Sequence, residues 1–390
     1  MKILITTDWY RPVINGVVTS VLNLTEQLEK RGHEVKVLTL SRNCHSYKEE
    51  NVIYAGSVGM GKIYPQARVK IPVVAREYME ELLAWKPDLI HSQCEFSTFF
   101  LAKRIAGELD IPIIHTYHTV YEDYTHYFSP QKAWGRSLVQ MMTRKLSDQV
   151  DAMIAPSGKI ERILEGYRVS CPVNVVPSGI DTEKYRRRID DGSREALREQ
   201  YGIKEDEIVF VYVGRMAKEK NIEELLWYQK SVQKNIKLVL VGDGPYRTTL
   251  EEKAKEYQVT DSVIFTGMVS PDEVARYYQI GDLFVSASTS ETQGMTYDEA
   301  LAGVPLLCRK DDCLKEVVTE GKNGWQYENE SMYLECIQKW KEFSEDEKRR
   351  MRNTAVRTAD QFSKESFAKR VERVYLAALE ERKRRNVYAA

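Results

Sequence analysis

The sequence lacks several features that would place it in a specialised class. No stretch of its 390 residues approaches the roughly 20 unbroken apolar residues of a membrane-spanning helix. The six cysteines (Cys44, Cys94, Cys171, Cys308, Cys313, Cys336) form no Cys-x-x-Cys and share no spacing with histidine. That argues against a zinc ribbon or a disulfide framework and for reduced, mostly buried thiols. Glycine and proline are few, 21 and 12, which excludes a fibrous or linker-dominated chain. Charge of one sign is missing too: 57 Lys and Arg stand against 58 Asp and Glu, so no nucleic-acid partner is expected. There is no Gly-x-Gly-x-x-Gly. Gly59-Met60-Gly61 and Gly242-Asp243-Gly244 both want the third glycine, which argues against a nicotinamide dehydrogenase.

What is present is an ordinary globular balance, 43% hydrophobic and 29% charged, long enough for two or three domains. Met1-Lys2-Ile3-Leu4-Ile5 meets Asp8 too soon for a signal peptide and reads as a first strand. Short continuous apolar runs then alternate with amphipathic helical patterns to near the end. Such runs are the mark of parallel strands covered by helices on both faces. The stripe Val17, Val21, Leu24, Leu28 predicts a helix ending at Gly32. Ser270-Pro271-Asp272-Glu273 and Ser344-Glu345-Asp346-Glu347 read as capping boxes. A seam near residues 166–205 divides the pattern into two Rossmann-like parallel-sheet domains facing a central cleft, 1–172 and 173–362, with a final helix over about 363–385 expected to pack back on the first. Arg186-Arg187-Arg188 in the seam reads as solvated linker.

The second half carries the more specific chemistry. The run Leu283–Ser286 leads into a loop with Glu291, then Gly294-Met295-Thr296, then a helix holding Glu299. Free backbone N–H groups at the helix start suit a phosphate, while Glu291 can accept from sugar hydroxyls and Glu299 from a ribose diol. Arg215 comes just after the run Ile208–Val213 and Lys220 lies at the start of the next helix. Two cations aimed at one place can neutralise a diphosphate without a metal ion. In the first half, Gly16 stands between the first strand and its helix, where a ligand can approach a helix N-terminus closely. All six histidines fall within 33–126. The cluster His115, His118, His126 fits neither His-Glu-x-x-His nor a zinc-finger spacing, so no metal site is assigned and His118 is placed past the carboxyl end of a strand.

Taken in order, Gly16, His118, Arg215 with Lys220, and Glu291-x7-Glu299 resemble the retaining glycosyltransferases of family 4 (GT4), which have the GT-B fold. The resemblance runs over nearly the whole chain. The stretches His118–Tyr124 and Ser290–Tyr297 are similar to the bacterial diacylglycerol glucosyltransferases in particular. Many family members carry phenylalanine where Gln293 stands, a departure that fits the lipid-glycosylating branch. The resemblance implies a hexosyltransferase moving glucose from a nucleotide sugar such as UDP-glucose to diacylglycerol, without a metal or other cofactor. It implies that Arg215 and Lys220 bind the diphosphate, that Glu299 holds the ribose, and that Glu291, Gly294, Met295 and Thr296 hold sugar and phosphate. Gly16 would admit the pyrophosphate, His118 would contact a sugar hydroxyl near the reacting carbon, and Tyr121 and Tyr124 would lie on the acceptor side.

A lipid acceptor requires access to a bilayer. Gln131–Leu146 places Trp134, Leu138, Met141 and Met142 on one helical arc, with Lys132, Arg136 and Arg144 on the other side or its border and Lys145 on the arc. Such a helix suits an anionic interface, as in a cytoplasmic protein bound peripherally to the inner face of the cell membrane; the same stripe could instead pack on the domain's own sheet. Rival readings are a soluble-sugar or phosphoinositol-lipid acceptor with GDP-mannose as donor, and a non-catalytic nucleotide-sugar-binding module.

Overall fold

The computed structural model describes residues 1–59, 68–70, 76–120, 132–187 and 189–389. They form two units, Met1–Gly179 with Lys364–Ala390, and Ile180–Ser363.

The first unit is built on an eight-stranded sheet. Its spatial order is Val173–Val175, Ala152–Ala155, Ile113–Thr116, Leu89–Ser92, Lys2–Thr6, Glu34–Leu40, Val52–Ala55 and Tyr47–Glu49. All neighbours run parallel except the last pair. The inner strands Lys2–Thr6, Leu89–Ser92, Ile113–Thr116 and Ala152–Ala155 are buried on both faces, as the continuous apolar runs require. The order reverses between Leu89–Ser92 and Lys2–Thr6, which is where doubly wound sheets bind ligands beyond their strand ends. The first helix, Gly16–Lys30, turns Val18, Val21, Leu24 and Leu28 inward and is capped by Asn15, whose Oδ1 accepts from Val18 N at 2.9 Å.

The boundary falls inside the seam but later than the expected division at 172/173. Val173–Val175, expected to open the second domain, pairs in parallel with Ala152–Ala155 and completes the first sheet. The division comes at Gly179, where a Cβ would lie 2.6 Å from Lys364 Cα, so only glycine lets the departing and returning chain pass. The final helix, Lys364–Ala389, belongs to the first unit and buries Phe367, Val371, Val374 and Tyr375 with Ile3, Ile5, Ile114 and Ile154.

The second unit has six parallel strands in the order Val263–Gly267, Ile236–Val241, Ile208–Val213, Leu283–Ser286, Leu306–Arg309 and Gly324–Tyr327. Numbered along this unit the order is 3-2-1-4-5-6, with the reversal between Ile208–Val213 and Leu283–Ser286. Two local expectations differ. The helix after Ser270 starts only at Val274 and has no side-chain cap, whereas Ser344 and Glu347 do form a capping box. Arg186 is not solvated linker: it bonds Val356 O and Asp360 Oδ1, each at 2.6 Å, tying the unit's first helix to its last.

Candidate active site

The reversal in the second unit sets two loops side by side. The chain leaves Ile208–Val213 through Gly214, at φ +156°, a conformation open to glycine. It leaves Leu283–Ser286 through Ala287–Thr292. The turn Gly242-Asp243-Gly244 braces the first loop. A Cβ on Gly242 would meet Gly214 O at 2.1 Å and one on Gly244 would meet Met216 O at 2.3 Å. Met216 N in turn donates to Asp243 O at 2.9 Å. The glycines are there because backbone packs on backbone.

Lys220, at the end of the short turn Lys218–Lys220, places Nζ 2.6 Å from Glu291 Oε1, with both side chains about one-fifth exposed. Arg215 pairs with Glu219, and Ser290 Oγ donates to Glu219 O at 3.1 Å. The expected cations and the first glutamate thus meet, each cation held by a carboxylate. Glu299 belongs to a different network: Tyr278 donates its hydroxyl to Oε2 at 2.9 Å, and Tyr185 is a second phenol partner. Burial pushes the Glu299 carboxyl up, against the lowering effect of these two hydroxyls.

Between the two glutamates, Gly294 caps the helix Met295–Leu301 in the left-handed region at φ +84°, with Met295 and Thr296 in its first turn. The first amides of a helix lie outside its own hydrogen-bond ladder. Gln293 and Asp298 are both buried, and Gln293 Nε2 donates to Asp298 Oδ2 at 2.7 Å. Asp298 Oδ1 is buried without a partner, and burial holds this carboxyl well above the usual range. Gln293 therefore has an acid packed against it. Neither Asp298 nor Glu219 carries a sequence signal beyond lying near the motif.

In the first unit, His118 lies just past Ile113–Thr116, with Nε2 at 2.7 Å from Gln93 Oε1. Burial lowers its pKa to about 4, so the imidazole is neutral at ordinary pH, with Nε2–H as the donor to Gln93. Among the described residues His115 joins no metal-binding cluster; it bonds Glu95 Oε1 at 3.3 Å and Ser92 Oγ at 3.2 Å. Gly16 is exposed as the first residue of its helix. Gln93 and Glu95 went unnoticed in the sequence, where the available signal was a polar loop directly after a buried strand.

Tyr121 and Tyr124 lie outside the described residues, as does the side chain of Trp134. The rest of the helix Lys132–Ser147 settles how its stripe is used. Val139, Thr143 and Leu146 face inward, while Leu138, Met141 and Met142 are 43%, 59% and 51% exposed. Arg136, Arg144 and Lys145 are exposed as well. The alternative that this apolar arc packs on the sheet is thereby corrected: the inner face is another one, about a third of a turn away. Among the described residues no helix is long and apolar enough to cross a membrane.

Two doubly wound parallel sheets, with paired cations and carboxylates at one reversal point, define a GT-B glycosyltransferase. Residues 14–184 match the Glycosyltransferase Family 4 domain and residues 193–361 the Glycosyl transferases group 1 domain. The chain belongs to glycosyltransferase family 4. It is 36% identical over 394 residues to the alpha-monoglucosyldiacylglycerol synthase of Streptococcus pneumoniae, covering 97% of this chain and 86% of that protein. Its identity to the enzyme of the same name from Acholeplasma laidlawii is 32%, over 96% and 97% of the two chains. Among solved structures, Anabaena HepE in complex with UDP-glucose superposes with a TM-score of 0.74 at 16% identity, covering 97% of this chain and all of that one.

Proposed function

We propose that this glycosyltransferase moves glucose from UDP-glucose to the free hydroxyl of diacylglycerol, with retention and without a metal ion, as a peripheral protein on the cytoplasmic face of the membrane. The observation that carries the lipid acceptor is the outward face of Lys132–Ser147. Leu138, Met141 and Met142 stand in solvent with Lys145 on the same arc, and Arg136 and Arg144 are exposed elsewhere on the same helix. Apolar side chains sharing a helix with cations are the composition that lies in an anionic interface. The names of the two full-length relatives support the same acceptor and sugar, and the nucleotide bound to HepE supports the donor.

In this reading the diphosphate takes Lys220 and Arg215 from their carboxylate partners. The freed Glu291 turns to the sugar hydroxyls, while the amides after Gly294 hold the phosphate. Charge developing on the departing nucleoside diphosphate falls on two fixed cations, an electrostatic task that needs no Lewis acid. Glu299 holds the ribose diol, and neutral His118 offers Nδ1 to a sugar hydroxyl. Gly16 leaves room for the pyrophosphate.

The test is product formation from a panel of nucleotide sugars with anionic liposomes containing diacylglycerol, read by mass spectrometry of the organic phase, with EDTA in half the samples. Hexosyl-diacylglycerol formed from UDP-glucose in EDTA supports the reading. Free nucleoside diphosphate with an empty organic phase removes the lipid acceptor, and loss of product in EDTA removes the metal-free mechanism.

A further inference from the structure

Gln93 and Glu95 lie at the reversal point of the first sheet, on the loop after Leu89–Ser92, and neither is assigned a direct contact with the donor. Gln93 is 3% exposed and its Oε1 is engaged by His118, but its Nε2 is buried with no partner. A buried amide donor left unmade is costly, so a site that keeps one calls for an oxygen from outside. Glu95 comes two residues later, its side chain 14% exposed, with Oε1 held by His115, which is itself fixed by Ser92. An N–H donor and a carboxylate acceptor at one strand end are the complement of a hydroxyl, which accepts from the first and donates to the second.

The residues just beyond Glu95 indicate the molecule to which that hydroxyl belongs. Phe96 and Phe100 are 48% and 59% exposed, and Phe100 N donates to Phe96 O at 3.3 Å, so the two stand one turn apart at the start of Ser97–Leu109. Their position is rigid, because Asp8 from the neighbouring strand end accepts from Ser97 N at 3.1 Å, Thr98 N at 2.8 Å and Thr98 Oγ1 at 2.7 Å. Large apolar side chains held in solvent, the first of them next in the chain to Glu95, suit an amphiphile, not a sugar ring clothed in hydroxyls.

We propose that Gln93 and Glu95 bind the acceptor hydroxyl and that Phe96 and Phe100 seat the acyl chains attached to it. This rests on the diacylglycerol reading and names the subsite for it. Both polar residues position the hydroxyl and form no bond to the sugar.

The experiment measures acceptor KM, donor Kd and the ratio of transfer to donor hydrolysis in Glu95→Gln, Gln93→Met and Phe96→Ser/Phe100→Ser. The acceptors are dioleoylglycerol in mixed micelles and water-soluble diacetylglycerol. Glu95→Gln and Gln93→Met should raise acceptor KM tenfold or more and shift turnover toward hydrolysis; donor Kd should stay within twofold of the parent in Glu95→Gln, the variant that leaves the Gln93–His118 bond in place. The exposed phenylalanine pair, whose replacement spares the core, should raise KM for dioleoylglycerol alone. Donor Kd weakening in step with Glu95→Gln would assign the hydroxyl to the donor sugar and overturn the proposal, as would unchanged constants in all three variants. If the parent enzyme transfers only to diacetylglycerol, the lipid reading and the acyl seat fall together, while the Glu95 and Gln93 variants still decide the hydroxyl subsite.

Discussion

The buried pair Gln293–Asp298 offers a prediction whose size comes from its geometry. Asp298 is fully buried and Gln293 nearly so, and one 2.7 Å hydrogen bond joins them between the two site glutamates. Asp298→Leu removes the acceptor from a buried donor. That should cost about 1–3 kcal/mol, or roughly 2–12 °C in the melting of a unit this size. Adding Gln293→Phe replaces both partners with apolar groups of similar reach and should return most of the loss. Asp298→Asn keeps an oxygen for Gln293 and cannot ionise. The pH dependence separates it from the parent. Burial raises the folded-state pKa of Asp298 above 3.8, so the folded protein holds that proton more tightly than the unfolded chain. Its contribution to stability is complete below the unfolded pKa and is lost as pH rises toward the folded one. Asp298→Asn should therefore gain on the parent as pH increases from 4 upward. The assay is scanning calorimetry of the full chain at several pH values. Additive single and double variants, with coupling under about 0.5 kcal/mol, or an Asp298→Asn curve parallel to the parent, would refute the reasoning.

Arg215→Ala and Lys220→Ala should each lower kcat by about 10²-fold or more, whereas Glu291→Gln should weaken donor binding and kcat together; steady-state kinetics over a donor series reads both. Tyr375→Phe leaves His91 Nδ1 without the phenol 2.7 Å away inside the core. The loss should be about 1–3 kcal/mol in a denaturant titration, because the opposite ring nitrogen is already committed to Thr116. His118, with its pKa lowered to about 4, is neutral in the fold and charged in the unfolded chain below pH 6.5. Its share of stability is present above that pH and lost as pH falls toward 4, so His118→Gln should flatten the acid limb of the stability curve. Replacing Leu138, Met141 and Met142 with serine should cut binding to anionic vesicles at least about tenfold without moving kcat on diacetylglycerol; a sedimentation assay measures it, and equal binding of the parent to anionic and neutral vesicles would show the basic residues contribute nothing.

Much of the fold was legible because parallel strands covered on both faces must be continuous apolar runs, and helices between them must be striped. The family was legible through a resemblance carried by the order of Arg215, Lys220, Glu291 and Glu299 along strand–loop–helix units. Other features depend on contacts distant in sequence. The strand orders, with their reversals at Lys2–Thr6 and at Ile208–Val213, come from packing choices that leave no local mark. The domain boundary moved to Gly179 because Val173–Val175 found its partner in Ala152–Ala155 and not in the strands of the second unit. Which arc of Lys132–Ser147 faces inward was open in the sequence, since two apolar stripes share that helix; burial of Val139 and Leu146 chose between them. The same holds for the pairs Gln93–His118 and Gln293–Asp298. A glutamine in a loop says nothing of its burial until a neighbouring strand or helix closes over it, and only then does the physics of an enclosed polar group apply.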